Sequence, residues 1–238
     1  MKISFIGSGK MAEALISGIT ESHTLSPNSI NCTDRDDNKT TYLNKKYKVN
    51  KYTNNLDAIK NANIIFICIK PQDINILSNE LKNQFKDNQT IVSILAGTQI
   101  QTLQKLFNHD SIIRIMPNTP AQIKKGVSVW THTEKTDPIH IKQIKSILVS
   151  IGNEFYVEKE ELIDNTVSLN ASVVASLFED LNYDLSKIRK GKKVKPFYIS
   201  LLPRDLSLIE SSKERKELFI KIILPLILQE NDKIEKDR

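Results

Sequence analysis

The chain has 238 residues, of which 39% are hydrophobic and 26% are charged, with 34 Lys and Arg against 28 Asp and Glu. The hydrophobic share can build a core, which excludes a disordered chain, a collagen-like repeat and a disulfide-dense mini-protein. The net charge of +6 is shared evenly between residues 1–172 and 173–238. We therefore expect no nucleic-acid partner.

The apolar stretches and the cysteines indicate the compartment. No stretch reaches the roughly 20 apolar residues that a transmembrane helix needs, so we expect no membrane span. The apolar run at residues 3–6 is too short for a secretory signal. Cys32 and Cys68 lie in apolar stretches and form no CxxC pair. This pattern predicts reduced thiols and a cytoplasmic location.

Seven short apolar runs are predicted to be strands; they cover residues 2–6, 30–33, 64–69, 90–95, 112–116, 126–131 and 154–157. Several are continuous, such as IIFICI at 64–69, which is typical of strands buried on both faces of a parallel sheet. Amphipathic stretches with helical spacing separate these runs. The alternation predicts an α/β fold, with a Rossmann-like doubly wound, mainly parallel sheet over residues 1–158.

The pattern changes after about residue 158. Residues 160–185 and 211–235 have helical patterns, and a basic linker with six Lys and Arg lies between them at 187–195. No further alternation of strands and helices is predicted in this part of the chain. We therefore predict a separate, atypical helical C-terminal segment over residues 159–238.

The strongest chemical signal is the sequence KISFIGSGKMAEALISGI, which begins at residue 2. Gly7, Gly9 and Ala12 form a GxGxxA motif between a predicted strand and a predicted helix. In a dinucleotide-binding loop the first glycine permits the tight turn, the second admits the pyrophosphate, and the third small residue lets the helix pack on the strand. The alternative is a glycine turn that binds no ligand.

The second predicted strand ends near Asp34, 27 residues after Gly7. An acidic side chain there can accept hydrogen bonds from the ribose hydroxyls, which favours NAD. Arg35 and Lys39 can instead bind a 2′-phosphate, which favours NADP. An exposed Asp–Arg pair is also an ordinary surface feature. The residues alone leave these alternatives open.

Three further loops follow predicted strands: Lys70 and Pro71, Ala96 and Gly97, and the segment 117–120 with Asn118 and Thr119. Because the carboxyl ends of parallel strands line the ligand crevice, we expect these loops to lie near the glycine loop. Asn118 and Thr119 are therefore candidates for the substrate side. The alternative for 117–120 is a rigid proline turn.

The four histidines, His23, His109, His132 and His140, are scattered and do not have metal-ligand or catalytic-triad spacing. No GxSxG, HExxH or Walker A sequence is present. We expect no metal site.

Four segments together resemble successive motifs of pyrroline-5-carboxylate reductases: IGSGKMAEALISGI, IFICIKPQ, IVSILAGT and IRIMPNTPAQIKKGVSVW. They occur in the family's order, and the resemblance extends over residues 1 to about 172. It implies a reductase that converts 1-pyrroline-5-carboxylate, a small molecule, to proline with NADPH or NADH, and that forms a homo-oligomer. The implied cofactor is NADP, with NAD possible.

The resemblance also implies roles for individual residues. The pyrophosphate would lie against Gly7, Ser8, Gly9, Lys10 and Met11; the adenosine ribose would lie near Asp34, Arg35 and Asn55; and the nicotinamide would lie near Cys68, Ile69, Lys70, Pro71 and Ala96. No residue is assigned a catalytic role.

The resemblance ends after ELIDNTVSLNAS at residues 161–172. The family continues with a Ser/Gly-rich stretch and Gly-Pro-Ala-Tyr, whereas this chain continues with VVASLFEDLNYD and has only Gly191 after Gly152. An alternative function is therefore a catalytically inactive dinucleotide-binding protein, or a fusion remnant without the substrate domain. Residues 182–238 weakly resemble the segment upstream of bacterial glucosaminidase domains.

Overall fold

The computed structural model describes residues 1–163, which belong to one unit, Met1–Asp164. Eight strands form one sheet in the order β3-β2-β1-β4-β5-β6-β7-β8. Their bounds are β1 Ile3–Ile6, β2 Ile30–Thr33, β3 Asn50–Lys51, β4 Ile64–Ile67, β5 Thr90–Ser93, β6 Ile112–Pro117, β7 Gly126–His132 and β8 Gly152–Tyr156. The order of the first six strands is that of a dinucleotide-binding doubly wound sheet, so the predicted fold class is confirmed.

Within residues 1–163, six α-helices connect the strands: α1 Lys10–Glu21, α2 Asp37–Tyr47, α3 Asn55–Ile59, α4 Ile74–Leu81, α5 Ile100–Phe107 and α6 Pro138–Ile151. Three short 3₁₀ helices cover Pro27–Ser29, Pro71–Asp73 and Thr119–Ile123. In residues 1–163 no helix combines the length and the apolar character that crossing a bilayer requires.

The continuous apolar runs form strands because both faces of the sheet are covered. Strands β1, β2, β4 and β5 are buried at every position. One core includes Phe5 and Phe66, which stack with ring centroids 4.7 Å apart, together with the inner faces of α1 and α6. A second core, on α4 and α5, includes Leu77 and Phe107. Burying this much apolar surface is the main force that stabilises such a sheet.

The sheet departs from a uniform parallel pattern at one strand. Strand β7 runs antiparallel to β6, and β8 then runs parallel to β7. The two-residue strand β3 is absent from the predicted strands, and β8 covers Gly152–Tyr156 instead of the predicted 154–157. Strand β3 has no apolar run that would predict it, because it consists of Asn50–Lys51 at the sheet edge.

A buried hydrogen-bond chain joins α6 to the amino-terminal ends of β5 and β6. His140 Nδ1 lies 2.7 Å from Thr90 Oγ1, which lies 2.8 Å from Ser111 Oγ. Burial lowers the pKa of His140, partly opposed by the charge of Asp137. The neutral imidazole is therefore the form that suits the folded chain.

We predict that acid destabilises this domain partly through His140. Its pKa is lower in the folded than in the unfolded chain, so its contribution is complete above the unfolded value and is lost as the pH falls below it. One extra proton on the unfolded chain contributes at most about 1.4 kcal/mol per pH unit. His140→Gln should flatten the dependence of the unfolding free energy on pH between about 7 and 5, measured by urea unfolding with fluorescence of Trp130, the only tryptophan.

The exposed His23 provides the control for this prediction. His23→Gln should leave the pH dependence as in the unmutated protein. An equal flattening by both substitutions, or by neither, would contradict the assignment to His140.

The predicted helical segment at 159–238 lies almost entirely outside the described residues. Its helices at 160–185 and 211–235, its basic linker and the boundary at 158/159 stay predictions.

Candidate functional site

The glycine loop joins the end of β1 to the start of α1, as the motif predicts. Gly9 is the N-cap of α1 and supplies no side-chain cap. The first bond along the helix runs from the Glu13 N–H to the Gly9 carbonyl, at 2.9 Å. The N–H groups of Lys10, Met11 and Ala12 therefore have no acceptor within the helix, and they make its end a site for an anion.

Gly7 is required by the chain's own packing. Its φ is +96°, and a Cβ added there would lie 2.5 Å from the carbonyl oxygen of Cys68. The Gly7 N–H donates to the Thr33 carbonyl at 2.9 Å, and the Cys68 N–H donates to the Ile6 carbonyl at 2.8 Å. The turn is thus held between the ends of β2 and β4 and has no room for a side chain.

Gly9 is different, because nothing in the chain demands glycine there. Its φ of −78° and ψ of −174° suit any residue, and a Cβ built on it meets no atom within 4 Å. The space over Gly9 is open and adjoins the N-terminus of α1. This is the space that a pyrophosphate needs, so the residues present fit a dinucleotide.

Asp34 ties the glycine loop to the end of β2. Its Oδ2 accepts from the Ser8 N–H at 2.8 Å, and its Oδ1 accepts from the Asp36 N–H at 2.9 Å and lies 3.3 Å from Lys39 Nζ. Burial by itself raises the pKa of Asp34, but these hydrogen bonds and the Lys39 charge outweigh it and lower the pKa. Asp34 is therefore a carboxylate that orients the loop.

Two cations lie beside Asp34 and remain open to solvent. The Arg35 side chain is 67% exposed and pairs with Asp73 at 3.2 Å, while Lys39 is 48% exposed. The Arg35–Asp73 contact also links the loop after β2 to the 3₁₀ helix after β4. Exposed pairs of this kind contribute little to stability, so these cations are free to bind an anion at low cost.

Asn55 is the first residue of α3 and lies at the same sheet edge. Its Oδ1 accepts from Thr33 Oγ1 at 2.7 Å, and its Nδ2 donates to Glu80 at 2.9 Å. It therefore connects the end of β2 to α3 and α4. The residues alone did not single it out, because it follows a two-residue strand that has no sequence signal.

The loop after β4 contains the next group of predicted residues. Cys68 and Ile69 are half-buried, whereas Lys70 and Pro71 are exposed. Burial raises the pKa of the Cys68 thiol, which therefore stays protonated near neutral pH. The Cys68 carbonyl touches the glycine loop, so the structure brings the β1 and β4 loops together.

Two more predicted loops lie after β5 and β6. Ala96 is exposed beside Gly97, whose φ is +69°. The side-chain oxygen of Asn118 accepts from the Val127 N–H at 2.8 Å and so pins the β6–β7 turn. Thr119 begins the 3₁₀ helix of that turn. The Asn118 bond fits a rigid turn, and substrate-side roles for Asn118 and Thr119 stay predictions.

The buried Arg114 forms an ion pair with the partly exposed Glu160, which was not predicted from the sequence. Arg114 Nη1 lies 2.7 Å from Glu160 Oε1, and the Arg114 side chain is fully buried within β6. The signal was visible in IIRIM at residues 112–116, because an arginine inside a continuous apolar strand needs a partner. Its partner could not be inferred, since it lies 46 residues away.

Among residues 1–163, no group of three His, Cys, Asp or Glu side chains is arranged to hold a metal ion. An open cavity of about 570 Å³ is lined by residues of α5, by the segment 131–135 and by Glu158 and Glu160. None of the predicted cofactor residues lines it. It is therefore a different place from the glycine loop.

Comparison with known proteins finds similarity over part of the chain. A family model described as NADP oxidoreductase coenzyme F420-dependent matches residues 2–97. Pyrroline-5-carboxylate reductase 2 of Bacillus subtilis is 36% identical over 166 residues, which are 68% of this chain and 58% of that protein. The Corynebacterium melassecola pyrroline-5-carboxylate reductase is 29% identical over 180 residues, 74% of this chain and 66% of the relative.

Solved structures agree on the fold. A pyrroline-5-carboxylate reductase from Coxiella burnetii superposes with a TM-score of 0.70 at 23% identity, covering 96% of this chain and 92% of that one. The Plasmodium falciparum pyrroline carboxylate reductase with NADP bound gives 0.63 at 18% identity, covering 100% and 92%.

This chain is similar to pyrroline-5-carboxylate reductases in sequence and in fold. The similarity to the two curated reductases covers 166 and 180 residues, in keeping with the predicted resemblance over about 172. The chain spans less than two thirds of the length of these relatives, 58% and 66%. The similarity therefore covers the fold and the glycine loop, but it does not extend over the whole length of these reductases.

Proposed function

We propose that this chain is an NADPH-dependent reductase that converts 1-pyrroline-5-carboxylate to proline. The observation that carries the proposal is the open space over Gly9 at the N-terminus of α1, in a chain 36% identical to a pyrroline-5-carboxylate reductase over 166 residues. The substrate is a small cyclic imine with a carboxylate. We also propose, from the resemblance, a homo-oligomer in the cytoplasm.

The reaction adds a hydride to the imine carbon and a proton to the nitrogen, so that the C=N π bond becomes C–H and N–H. A bound reduced nicotinamide supplies the hydride. Most of the protein's contribution is orientation of the reacting carbon atoms. We assign the substrate contacts and the proton donor to no residue of this chain.

The chain's own residues support the binding step. Gly7, Ser8, Gly9, Lys10 and Met11 would hold the pyrophosphate through the helix N-terminus, and the loop residues Cys68 to Pro71 with Ala96 would border the nicotinamide. Glycine at position 9 leaves room for the ligand, while Asp34 fixes the Ser8 amide. These roles are implied by the family resemblance, and the positions of the loops at the carboxyl ends of β1, β4 and β5 support them.

For the cofactor we propose NADP over NAD. The Asp34 carboxylate already accepts from two backbone amides and lies by Lys39, so its oxygens are committed to the loop. Arg35 and Lys39 are exposed cations at the same edge and suit a 2′-phosphate. Asn55 would lie close to the ribose. NAD stays possible because Asp34 keeps a negative charge there.

A second candidate function is dinucleotide binding without turnover. The sequence supports it, because the chain departs from the family after Ser172 and lacks the Gly-Pro-Ala-Tyr stretch. Such a protein would keep the glycine loop and lose the residues that hold the substrate.

The test is a pair of measurements on the purified full chain. NADPH and NADH binding is titrated, and oxidation of each cofactor is then followed with and without 1-pyrroline-5-carboxylate. We expect tighter binding of NADPH and proline formation. Binding without proline formation would favour the second candidate, and no binding of either cofactor would refute both.

A further inference from the structure

The ion pair of the buried Arg114 and the partly exposed Glu160 connects two parts of the domain that lie far apart in sequence. Arg114 is in the middle of β6, and Glu160 follows the end of β8 by four residues. A guanidinium enclosed in a strand is costly unless it is paired and hydrogen-bonded. Glu160 supplies one such partner, since its Oε1 lies 2.7 Å from Arg114 Nη1.

The same oxygen of Glu160 also caps a helix. Oε1 accepts from the Ile100 N–H at 2.7 Å, and Ile100 is the first residue of α5. The residue at the N-cap position, Gln99, makes no side-chain cap. Glu160 therefore replaces a local cap from 60 residues away. Its negative charge also suits the positive end of the helix dipole.

The capped helix follows the loop between β5 and α5, residues 94–99. The loop begins at the end of β5, where the Leu95 N–H donates to Ser93 Oγ at 3.2 Å, and it ends at the amide that Glu160 holds. Between these anchors lie the exposed Ala96 and Gly97, whose φ is +69° and whose Cβ position is open. Glu160 thus restrains the exit of this loop, whose two middle residues are exposed.

We propose that Arg114 and Glu160 are positioning residues, which hold the β5–α5 loop in the shape that receives the nicotinamide half of the cofactor. The proposal rests on the proposed function, because it assumes that the loop faces the nicotinamide. Arg114 orients the carboxylate, the carboxylate fixes the Ile100 amide, and the amide fixes the loop. Neither residue touches the reacting atoms in this arrangement.

The test compares a whole cofactor with half of one. NADPH would contact both the glycine loop and the β5–α5 loop, whereas adenosine 2′,5′-bisphosphate would occupy only the adenosine side. Glu160→Ala should weaken NADPH binding about tenfold and change the affinity for adenosine 2′,5′-bisphosphate less than about twofold. Glu160→Gln keeps the size and one acceptor oxygen, so we expect it to restore part of the NADPH affinity.

Glu158→Ala is the matched control. Glu158 is exposed and lines the same open cavity as Glu160. Its replacement by alanine removes one negative charge two residues from Glu160. It should leave both affinities unchanged. Equal weakening of the two ligands by Glu160→Ala, or no weakening of either, would overturn the proposal. Failure of both Glu160 variants to fold would also overturn it, because the pair would then serve the fold as a whole. If the unmutated chain bound neither ligand, the proposed function itself would be wrong.

Discussion

Gly9→Val is expected to abolish NADPH binding while the domain stays folded. The backbone at Gly9 suits any residue, and the space around its Cβ position is free of protein atoms. A valine therefore costs the fold little, but its methyl groups fill the space beside the N-terminus of α1. We expect at least about a hundredfold loss of NADPH affinity, measured by titration.

Gly7→Val is the contrasting substitution on the same loop. Its Cβ would lie 2.5 Å from the Cys68 carbonyl oxygen, at a φ of +96°, so it should lower the free energy of unfolding by several kcal/mol, ~3 or more. Gly9→Val should change that free energy by less than about 1 kcal/mol in urea unfolding. If Gly9→Val bound NADPH as tightly as the unmutated chain, the assignment of this loop to the pyrophosphate would be wrong.

The fold was predictable because two signals were strong and local. Continuous apolar runs such as IIFICI mark buried strands, and GxGxxA after the first strand marks the turn into α1. The direction of β7 was not predictable in this way. It depends on the turn that the Asn118 hydrogen bond and the short 3₁₀ helix Thr119–Ile123 form. The sequence of a proline-containing turn does not predict the direction of the strand that follows it.

The candidate site divides along the same line. Gly7, Gly9 and Asp34 are predicted as candidates from residue type and spacing, because a dinucleotide-binding loop favours glycine at the first two positions and an acidic residue after the second strand. Their contacts could not be predicted from the sequence: Asp34 accepts a hydrogen bond from the Ser8 amide, and Gly7 packs against the Cys68 carbonyl. The contact of Glu160 with both Arg114 and Ile100 depends on strand order and has no sequence signature.

Gly152→Ala is expected to be the most destabilising single-methyl addition in residues 1–163. Gly152 begins β8, and its φ of +147° is a conformation that L side chains rarely adopt. An added Cβ would lie 2.0 Å from the Gly126 carbonyl oxygen and 2.5 Å from its nitrogen. These are backbone atoms of the neighbouring strand and cannot turn aside, so we expect a loss of roughly 3 kcal/mol or more, or no folding.

Gly97→Ala separates backbone strain from collision. Gly97 also has a positive φ, but its Cβ position meets nothing within 4 Å, so alanine there should cost only about 1 kcal/mol. The comparison is made by urea unfolding with Trp130 fluorescence, since Trp130 is buried on β7, beside β8. An equal loss of unfolding free energy at the two positions would contradict the predicted collision of a Cβ at position 152 with the Gly126 backbone.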